Sequence, residues 1–502
     1  MSSQMTPTPE QAAIIAAASQ PQSLMVNALA GTGKTTTLVM LAKALGPQPA
    51  LALAFNKKIK EELEKRFPSN FTVMTMNGLG HRAWSQAINK KKMLIDANKI
   101  GRITTEALRP FPDSKSQWAS IRTLVTMAMQ RGLVPSHFQH AKSIIPDTPA
   151  TWEQLDYELD ANLTADERKL ARRVLIESIE EGLKGCISYD DQIYLPVVFV
   201  SPFPRFPVVL VDEAQDLSPL NHAMLRKCAA GKLIVVGDPR QAIYAFRGAD
   251  HNSMTNLKTL RPEWIELPLN TTFRCPQLVV ERQHHHAPFY RAAPSNPTGS
   301  VHNLVGSGDW SWSTIESLST GSVAILCRNN APLLSMAFKL LRQNIGVNML
   351  GREIGKGLSA LCHKLSPDKT LPIADFSALL AAWFEREYSK AEANEDGSKM
   401  DAVTDKYECL RAVIDNKKPA TVRDLASSLE SLFAHDNGIV TLATGHKAKG
   451  LEWDTVLHLD PWRIPSKWAK KEDEITQENN LRYVLETRTK HTLVLANMKE
   501  FV

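Results

Sequence analysis

A glycine-containing segment, NALAGTGKTTT (27–37), follows a short apolar run and precedes a helical pattern over 36–45. A turn between a strand and a helix is the setting in which backbone amides cradle phosphates. Gly31 and Gly33 have no Cβ to obstruct those amides. Ala28 stands where the usual first glycine is expected, and the turn tolerates its methyl group. The competing interpretation is an ordinary strand-to-helix turn.

Two acidic residues far downstream complete the expected site. Asp212 and Glu213 end the apolar run 208–211, so their carboxylates emerge at the carboxyl edge of a strand, where ligands bind in open α/β sheets. Lys34 is expected to reach the β- and γ-phosphates, and the Thr35 hydroxyl to ligate Mg²⁺. Asp212 is the expected Mg²⁺ partner, and Glu213 is the expected base that polarises the attacking water. Together these residues predict ATP hydrolysis with Mg²⁺.

Short apolar, β-branched runs recur along the chain, each followed by turn residues and a helical pattern. Strands of this kind predict parallel α/β sheets that are buried on both faces. They fall into two clusters, which indicates two such domains with mostly helical segments inserted into them. The runs are 23–26, 50–55, 208–211 and 233–236 in the first cluster, and 323–326, 439–442, 456–459 and 493–495 in the second.

Composition limits the class of protein. The 502 residues are 43% hydrophobic and 22% charged, with a formal net charge of +6, which is typical of a soluble globular chain. No segment approaches the ~20 apolar residues of a membrane helix. The N-terminus lacks a secretory signal pattern, and six cysteines without a CxxC pair favour a reducing cytoplasm. The triplet 284–286 of histidines is a weak metal candidate because consecutive residues point in different directions on a helix.

Several further motifs carry a family resemblance. They are AFNKKIKEELEKRF (54–67), VDEAQD (211–216), GDPRQAIYAFRGA (237–249), LNTTFR (269–274), LATGHKAKGLEWDTV (442–456) and ENNLRYVLETRTK (478–490). With these segments the chain resembles superfamily 1 DNA helicases of the UvrD/Rep type. It is most similar to the compact branch that includes F-box DNA helicases and phage-encoded UvrD-like helicases. The resemblance implies two RecA-like motor domains of the P-loop NTPase class.

The resemblance also implies a domain organisation. The first motor domain is expected at 1–82 and 191–262, interrupted by a helical insertion at 83–190. The second motor domain is expected at 263–350 and 436–502, interrupted by a reduced accessory insertion at 351–435.

The same resemblance assigns nucleotide contacts. ATP binding is expected of Gln11, Ala30, Gly31, Thr32, Gly33, Lys34, Thr35, Thr36, Phe273 and Glu452. Gln241 matches a γ-phosphate sensor, and Arg274 and Arg488 match two arginine fingers that neutralise charge on the transferring phosphoryl. Surface salt bridges are the competing interpretation for the two arginines. Glu486 stands where relatives usually have a small or apolar residue, and the motif offers no reason for it.

Contacts with a nucleic-acid strand are expected from aromatic side chains, which stack on bases, and from polar groups. Tyr244 and Phe246 follow Gln241 on one short segment and are the expected stacking residues, with core packing as the alternative. Asn77 stands where a DNA-contacting histidine is usual. The other positions that match strand-contacting or domain-coupling residues are Phe55, Asn56, Thr75, His81, Arg328 and His446.

The resemblance implies an ATP-dependent DNA helicase and translocase that moves 3′ to 5′ on single-stranded DNA in replication, repair or recombination. Expected partners are single-stranded DNA, tailed duplex DNA and replication or recombination proteins, with no membrane. The expected location is the cytoplasm of a bacterial or phage-infected cell. Two alternatives stay open: a translocase that strips proteins from DNA with little unwinding, and a P-loop NTPase switch without motor activity. RNA also stays open as a substrate.

Overall fold

A computed structural model of the protein describes residues 6–90, 92–111, 117–159, 163–243, 252–393, 397–432 and 438–502. The chain divides into two compact units. The first comprises Met1–Ala28 and Gly33–Leu269, and the second comprises Leu29–Thr32 and Asn270–Val502. Each unit contains one large sheet whose strands are all parallel. The predicted fold class, two parallel-sheet α/β domains with many helices, is therefore confirmed.

The strands of the first unit are β1 (Ser23–Ala28), β2 (Ala50–Ala54), β3 (Phe71–Thr75), β4 (Leu94–Ile95), β5 (Cys186–Ile187), β6 (Phe206–Val211), β7 (Ala229–Gly237) and β8 (Trp264–Leu269). In the described part of the chain, six of them form a sheet in the order β3-β2-β6-β7-β1-β8, and β4 pairs with β5. Strand β2 is buried along its whole length because helices cover both faces of the sheet.

Strand β8 corrects the expected start of the second motor domain at residue 263. It pairs with β1 from Ser23↔Trp264 to Ala28↔Leu269, so it belongs to the first sheet. It lies at the edge of that sheet, where Pro268 is tolerated because an edge strand need not donate every ladder hydrogen bond. The first unit therefore continues to Leu269.

The helices of the first unit are α1 (Pro9–Ala18), α2 (Lys34–Ala44), α3 (Lys57–Arg66), α4 (Met76–Ala87), α5 (Lys99–Ala107), α6 (Trp118–Gln130), α7 (Pro149–Glu158), α8 (Ala165–Leu183), α9 (Asp191–Val198), α10 (Pro219–Cys228) and α11 (Ser253–Leu257). Ile14 of α1 and Leu38 of α2 pack in one core with Leu24 and Leu210 of the sheet. Helices α4 to α10 surround a second core on the other face, and Trp84 lies within it. Both faces of the sheet are therefore covered, as a parallel sheet requires.

The strands of the second unit are β9 (Thr271–Thr272), β10 (Arg291–Ala292), β11 (Ser300–Asn303), β12 (Val323–Cys327), β13 (Val347–Met349), β14 (Val440–Thr444), β15 (Trp453–Leu459) and β16 (Thr489–Ala496). Its large sheet has the order β11-β16-β15-β12-β14-β13 among the described residues. The helices are α12 (Gln277–Arg282), α13 (Trp312–Leu318), α14 (Asn330–Arg342), α15 (Arg352–Leu365), α16 (Ile373–Ala393), α17 (Gly397–Lys417), α18 (Val422–Leu432), α19 (Gly445–Ala448) and α20 (Glu472–Glu486).

Helices α15 to α18 occupy the segment expected to be the accessory insertion, and they share one hydrophobic core with the second sheet. Helix α17 is also tied to that sheet by two carboxylates. Asp401 accepts from Arg328, which follows β12, at 2.6 Å. Asp405 accepts from the backbone amides of Asn330 and Ala331 at the start of α14, at 3.1 and 2.8 Å. A carboxylate at a helix N-terminus satisfies amides that the helix leaves unpaired.

Candidate functional site

The phosphate loop joins β1 to α2. Ala28, which replaces the usual first glycine, is the last residue of β1 and is fully buried, so its methyl group packs in the sheet core. Gly31 and Gly33 have φ of 69° and 77°, in the left-handed region that favours glycine. Helix α2 begins at Lys34. The predicted strand–turn–helix setting of a phosphate-binding loop is therefore present, with its glycines where the backbone needs them.

The first part of this loop, Leu29–Thr32, packs within the second unit. The amide of Ala30 donates to the Tyr483 hydroxyl at 2.9 Å, and the Tyr290 hydroxyl donates to the carbonyl of Ala30 at 2.7 Å. The amide of Phe273 donates to the carbonyl of Gly31 at 2.8 Å. A Cβ added at Gly31 would lie 2.6 Å from the Cβ of Arg274, so this glycine is also required by close packing.

Lys34, Asp212 and Glu213 come together at the carboxyl edge of the first sheet. The Lys34 ammonium lies 3.7 Å from a carboxylate oxygen of Glu213. Asp212 is only 5% exposed and accepts from the backbone amide of Glu213 at 2.9 Å. Burial, and then the neighbouring Glu213 carboxylate, raise the pKa of Asp212 to about 7, although Lys34 acts in the opposite direction. This carboxylate is costly to ionise without a nearby cation.

The chemistry at this edge fits a hard divalent cation. Mg²⁺ prefers oxygen ligands, and the candidates here are the Asp212 carboxylate and the Thr35 hydroxyl. The pKa of Asp212 is raised because burial makes its ionised form costly. A cation beside the carboxylate would offset that cost. The residues present therefore suit the metal that accompanies ATP.

A chain of hydrogen bonds connects Glu213 with the end of β7. The Gln215 amide donates to Glu213 at 2.6 Å, and its carbonyl oxygen accepts from the backbone amide of Asp238 at 3.0 Å. The side-chain amide of Gln241 then donates to the buried carboxylate of Asp238 at 2.7 Å. The predicted base and the predicted γ-phosphate sensor are thus linked through two residues. Tyr244 and Phe246, which follow Gln241, lie outside the described residues.

Gln11 is held rigidly at the start of α1. Its side-chain carbonyl accepts from the backbone amide of Thr8 at 3.0 Å, and its backbone amide donates to the Thr8 hydroxyl at 3.2 Å. The side-chain NH₂ donates to the Thr37 hydroxyl of α2 at 3.1 Å. This predicted ATP-binding residue is therefore fixed against α2, the helix that follows the phosphate loop.

The two predicted arginine fingers are neighbours in the second unit. Arg274 donates to Glu452 at 2.6 Å and lies 3.5 Å from the carbonyl of Thr487. Arg488 is 1% exposed and donates to the carbonyl of Val484 at 2.8 Å. Burial, and then the charge of Arg274, lower the pKa of Arg488 to about 10. The structure thus brings both arginines and Glu452 together.

The predicted strand contacts of the first unit lie at or just after the carboxyl ends of β2 and β3, which are adjacent in the sheet. Phe55 is 47% exposed. The Asn56 carbonyl oxygen accepts from the amide of Ile59, and the Thr75 hydroxyl accepts from the amide of Gly78, so both side chains cap helices. His81 of α4 has its Nδ1 3.4 Å from the Gln192 side-chain nitrogen.

Asn77, which stands where a DNA-contacting histidine was expected, holds α4 to the start of α9. Its amide donates to the carbonyl of Tyr189 at 2.8 Å and to the Gln192 side chain at 3.0 Å. The substitution therefore has a structural explanation.

In the second unit, Arg328 follows the carboxyl end of β12, and His446 lies in α19, just after β14. Arg328 forms a bidentate ion pair with Glu478, at 2.7 and 3.0 Å, in addition to its bond with Asp401. Both partners of Arg328 lie in the second unit, so its predicted roles in strand contact and in domain coupling stay predictions. His284, His285 and His286 each contact a different group, respectively Tyr290, Arg282 and Asn480.

Comparison with known protein families gives a decisive match. Residues 8–261 match the UvrD/REP helicase N-terminal domain, and residues 372–500 match the UvrD-like helicase C-terminal domain. The first match alone covers half of the chain. The protein belongs to the UvrD/Rep helicase family.

Individual relatives in the UvrD/Rep family agree with this assignment. The chain is 26% identical to F-box DNA helicase protein 1 of Schizosaccharomyces pombe, over 97% of this chain and 57% of that protein. It is 24% identical to F-box DNA helicase 1 of Gallus gallus, over 95% of this chain and 48% of that protein. DNA helicase II of Escherichia coli is 26% identical over 47% of this chain and 34% of its own length. The chain thus spans about half the length of the F-box helicases, a resemblance predicted from the motifs.

Two features of this UvrD/Rep-family chain were not predicted from its sequence. Asp238 follows β7 as a single acidic residue, and only its buried contact with Gln241 shows its importance. Glu486 is fully buried and paired with residues that are distant in sequence. Its departure from the small or apolar residue that relatives usually have at this position is the one signal that pointed to it.

No described helix has the length and apolar composition needed to cross a bilayer.

Proposed function

We propose that the protein is an ATP-dependent DNA helicase and translocase that moves 3′ to 5′ along single-stranded DNA. The observation that carries the proposal is the cluster of Lys34, Asp212 and Glu213 at the carboxyl edge of the first sheet, in a chain of the UvrD/Rep family. A lysine, a metal-binding carboxylate and a second carboxylate beside a phosphate loop are the groups that ATP hydrolysis needs.

Each side chain has a distinct role in the proposed reaction. Lys34 holds the β- and γ-phosphates, and Glu213 orients the attacking water and polarises its O–H bond. Arg274 and Arg488 neutralise charge on the transferring phosphoryl. Thr35 and Asp212 would hold Mg²⁺, which neutralises phosphate charge when it is bound with ATP.

The hydrogen-bond chain from Glu213 to Gln241 supports coupling of hydrolysis to DNA binding. Gln241 immediately precedes the segment of Tyr244 and Phe246, which are the proposed stacking residues. A change in the contact between Gln241 and the γ-phosphate would therefore be transmitted to Tyr244 and Phe246, three and five residues further along the chain, which we propose bind the bases. Alternating affinity for the strand in the two nucleotide states would then give net movement.

The proposal extends to partners and organisation. Single-stranded and tailed duplex DNA are the proposed substrates, and replication or recombination proteins the proposed partners, in the cytoplasm. The relatives come from eukaryotes and bacteria, so they do not support a specifically bacterial or phage source. We also propose that 83–190 and 351–435 are insertions into two motor domains, with the first motor domain extended to Leu269.

The first experiment measures ATP turnover with and without single-stranded DNA, with Lys34→Ala as the inactive control. We expect strong stimulation by DNA and weaker stimulation by RNA of the same sequence. A rate of ATP turnover that single-stranded DNA does not change would instead support the NTPase switch without motor activity.

The second experiment measures strand displacement on duplexes with a 3′ or a 5′ single-stranded tail. We expect displacement only with the 3′ tail. DNA-stimulated turnover without displacement on either tail, together with removal of a protein bound to the DNA, would contradict the helicase and support the protein-stripping translocase.

A further inference from the structure

Glu486 is a buried charge in an unexpected place. It is the last residue of α20, is fully buried, and lies two residues before Arg488. A buried carboxylate is strongly unfavourable unless it is paired and hydrogen-bonded. The contacts of Glu486 must therefore offset the cost of burying its charge two residues from a predicted catalytic arginine.

Three side chains from two other elements pair with Glu486. Arg282 at the end of α12 donates to both carboxylate oxygens, at 2.9 and 3.2 Å. Gln283 donates at 2.6 Å, and His458 Nδ1 of β15 lies 3.3 Å away. A bidentate guanidinium–carboxylate pair fixes orientation as well as distance. The end of α20 is thereby fixed to both α12 and β15.

The pairing keeps Glu486 ionised. Burial alone would raise the pKa of its carboxyl group, but the hydrogen bond and attraction from His458, followed by those from Arg282, lower it to about 2. The ion pair therefore persists at every pH at which the protein would be assayed.

The same two segments meet again one residue further on. The carbonyl of Thr487 accepts from Arg274 at 3.5 Å and from the Cys275 thiol at 3.4 Å. Arg274 and Cys275 precede α12, and Thr487 separates Glu486 from Arg488. The segment that carries one arginine is thus joined to the segment that carries the other at two adjacent positions. At Thr487 the Arg274 contact is long and the thiol is a weak donor, whereas the bonds from Arg282 and Gln283 to Glu486 end on a carboxylate and are as short as 2.6 Å.

The two arginines need such a restraint because they repel each other. Arg274 is one of the groups that lower the pKa of the buried Arg488 guanidinium. Like charges that are held close together must be fixed by the surrounding structure. Glu452 also links the two segments, since it pairs with Arg274 at 2.6 Å and with Lys490 at 2.9 Å, but its side chain is 41% exposed, whereas Glu486 is fully buried.

We propose that Glu486 is a positioning residue that fixes Arg274 and Arg488 relative to each other by binding Arg282 and Gln283 of the neighbouring segment. The inference rests on the proposed function, in which these two arginines act on the transferring phosphoryl. Glu486 itself does not touch the nucleotide. Its contribution is to hold two charges in the geometry that the reaction requires.

The test is steady-state ATP turnover of Glu486→Gln with saturating single-stranded DNA. The substitution keeps the shape but removes the charge that Arg282 and His458 contact. We expect kcat to fall about 10- to 100-fold, as expected when a catalytic group is misplaced by about 1 Å. The KM for ATP should change less than about twofold, because Lys34 is untouched and the fingers act mainly in the transition state. A structural role alone would not produce this division between kcat and KM.

The matched control is Asp460→Asn. Asp460 is also buried in the second unit and accepts from Arg463 at 2.9 Å and from the amide of Met498 at 2.8 Å. Its φ of 52° suits asparagine. We expect loss of stability but an unchanged kcat per folded molecule. An equal fall in kcat for both variants would show that Glu486 acts only through stability, and would overturn the inference.

A second variant, Gln283→Ala, covers the case in which Glu486→Gln does not fold. It removes one short hydrogen bond and leaves the Arg282–Glu486 ion pair in place, so we expect a smaller fall in kcat, again with little change in KM. Wild-type kcat in either folded variant overturns the inference while the proposed function stands. Absence of DNA-stimulated turnover in the wild-type protein overturns the proposed function, and the inference with it.

Discussion

Replacement of Asp212 by asparagine should make the first unit more stable at alkaline pH while it abolishes turnover. Burial and the adjacent Glu213 raise the pKa of Asp212 from 3.8 to about 7. One pKa unit corresponds to about 1.4 kcal/mol, so the ionised carboxylate costs the folded state up to about 4 kcal/mol. Asparagine keeps the acceptor for the Glu213 amide without this charge.

The sign of the pH dependence follows from the direction of the pKa change. Below about pH 4 the carboxyl group is neutral in both the folded and the unfolded chain, so it imposes no penalty. As the pH rises, the unfolded chain ionises first and the folded state loses stability. The loss is complete above about pH 7. The stability advantage of Asp212→Asn should therefore grow between these two values and stay constant above the higher one.

The assay is urea unfolding without Mg²⁺ or ATP, followed by far-ultraviolet circular dichroism at about pH 5 and about pH 8. The control is Asp166→Asn, which removes a fully exposed carboxylate paired with Lys169 and should change stability little. The reasoning is refuted if Asp212→Asn is no more stable than the wild type at the higher pH. It is also refuted if the substitution raises the free energy of unfolding by the same amount at both pH values.

Three further substitutions test the site. Glu213→Gln should abolish turnover but retain ATP and DNA binding, because it removes only the base; normal hydrolysis, measured as phosphate release, would show that the base lies elsewhere. Phe246→Ala should weaken binding to a fluorescent single strand and uncouple hydrolysis from movement, and unchanged affinity would assign Phe246 to the core. Arg328→Gln should lower the free energy of unfolding of the second unit by about 2–3 kcal/mol, because it leaves Glu478 without its guanidinium partner; an unchanged urea midpoint would contradict this.

The parts of the fold that could be predicted from sequence are those governed by local rules. Strands such as β6 and β12 are short continuous apolar runs, since both faces of a parallel sheet are buried. The phosphate loop was predicted because its glycines lie between a strand and a helix and leave the backbone amides unobstructed, and the structure shows both glycines in the left-handed region. These features depend on neighbours within about ten residues, which a single sequence displays.

The features that sequence could not provide depend on distant partners. Strand β8 was assigned to the wrong domain because its partly exposed pattern and Pro268 do not reveal which sheet edge it joins. The acceptors of the Asn77 amide lie more than a hundred residues downstream. Glu486 likewise finds Arg282 across 204 residues, so only the folded chain explains its charge.

The hydrogen bonds that join α17 to the end of β12 and the start of α14 have a mechanical consequence. Asp401 and Asp405 lie one helical turn apart and bind, respectively, the side chain of Arg328 and the first amides of α14. A hinged swing of α15 to α18 would break all of these bonds together, and would expose part of the hydrophobic core that they share with the second sheet. A load applied to α17 is therefore transmitted directly to the second sheet, and α15 to α18 act as a stiff extension of that sheet.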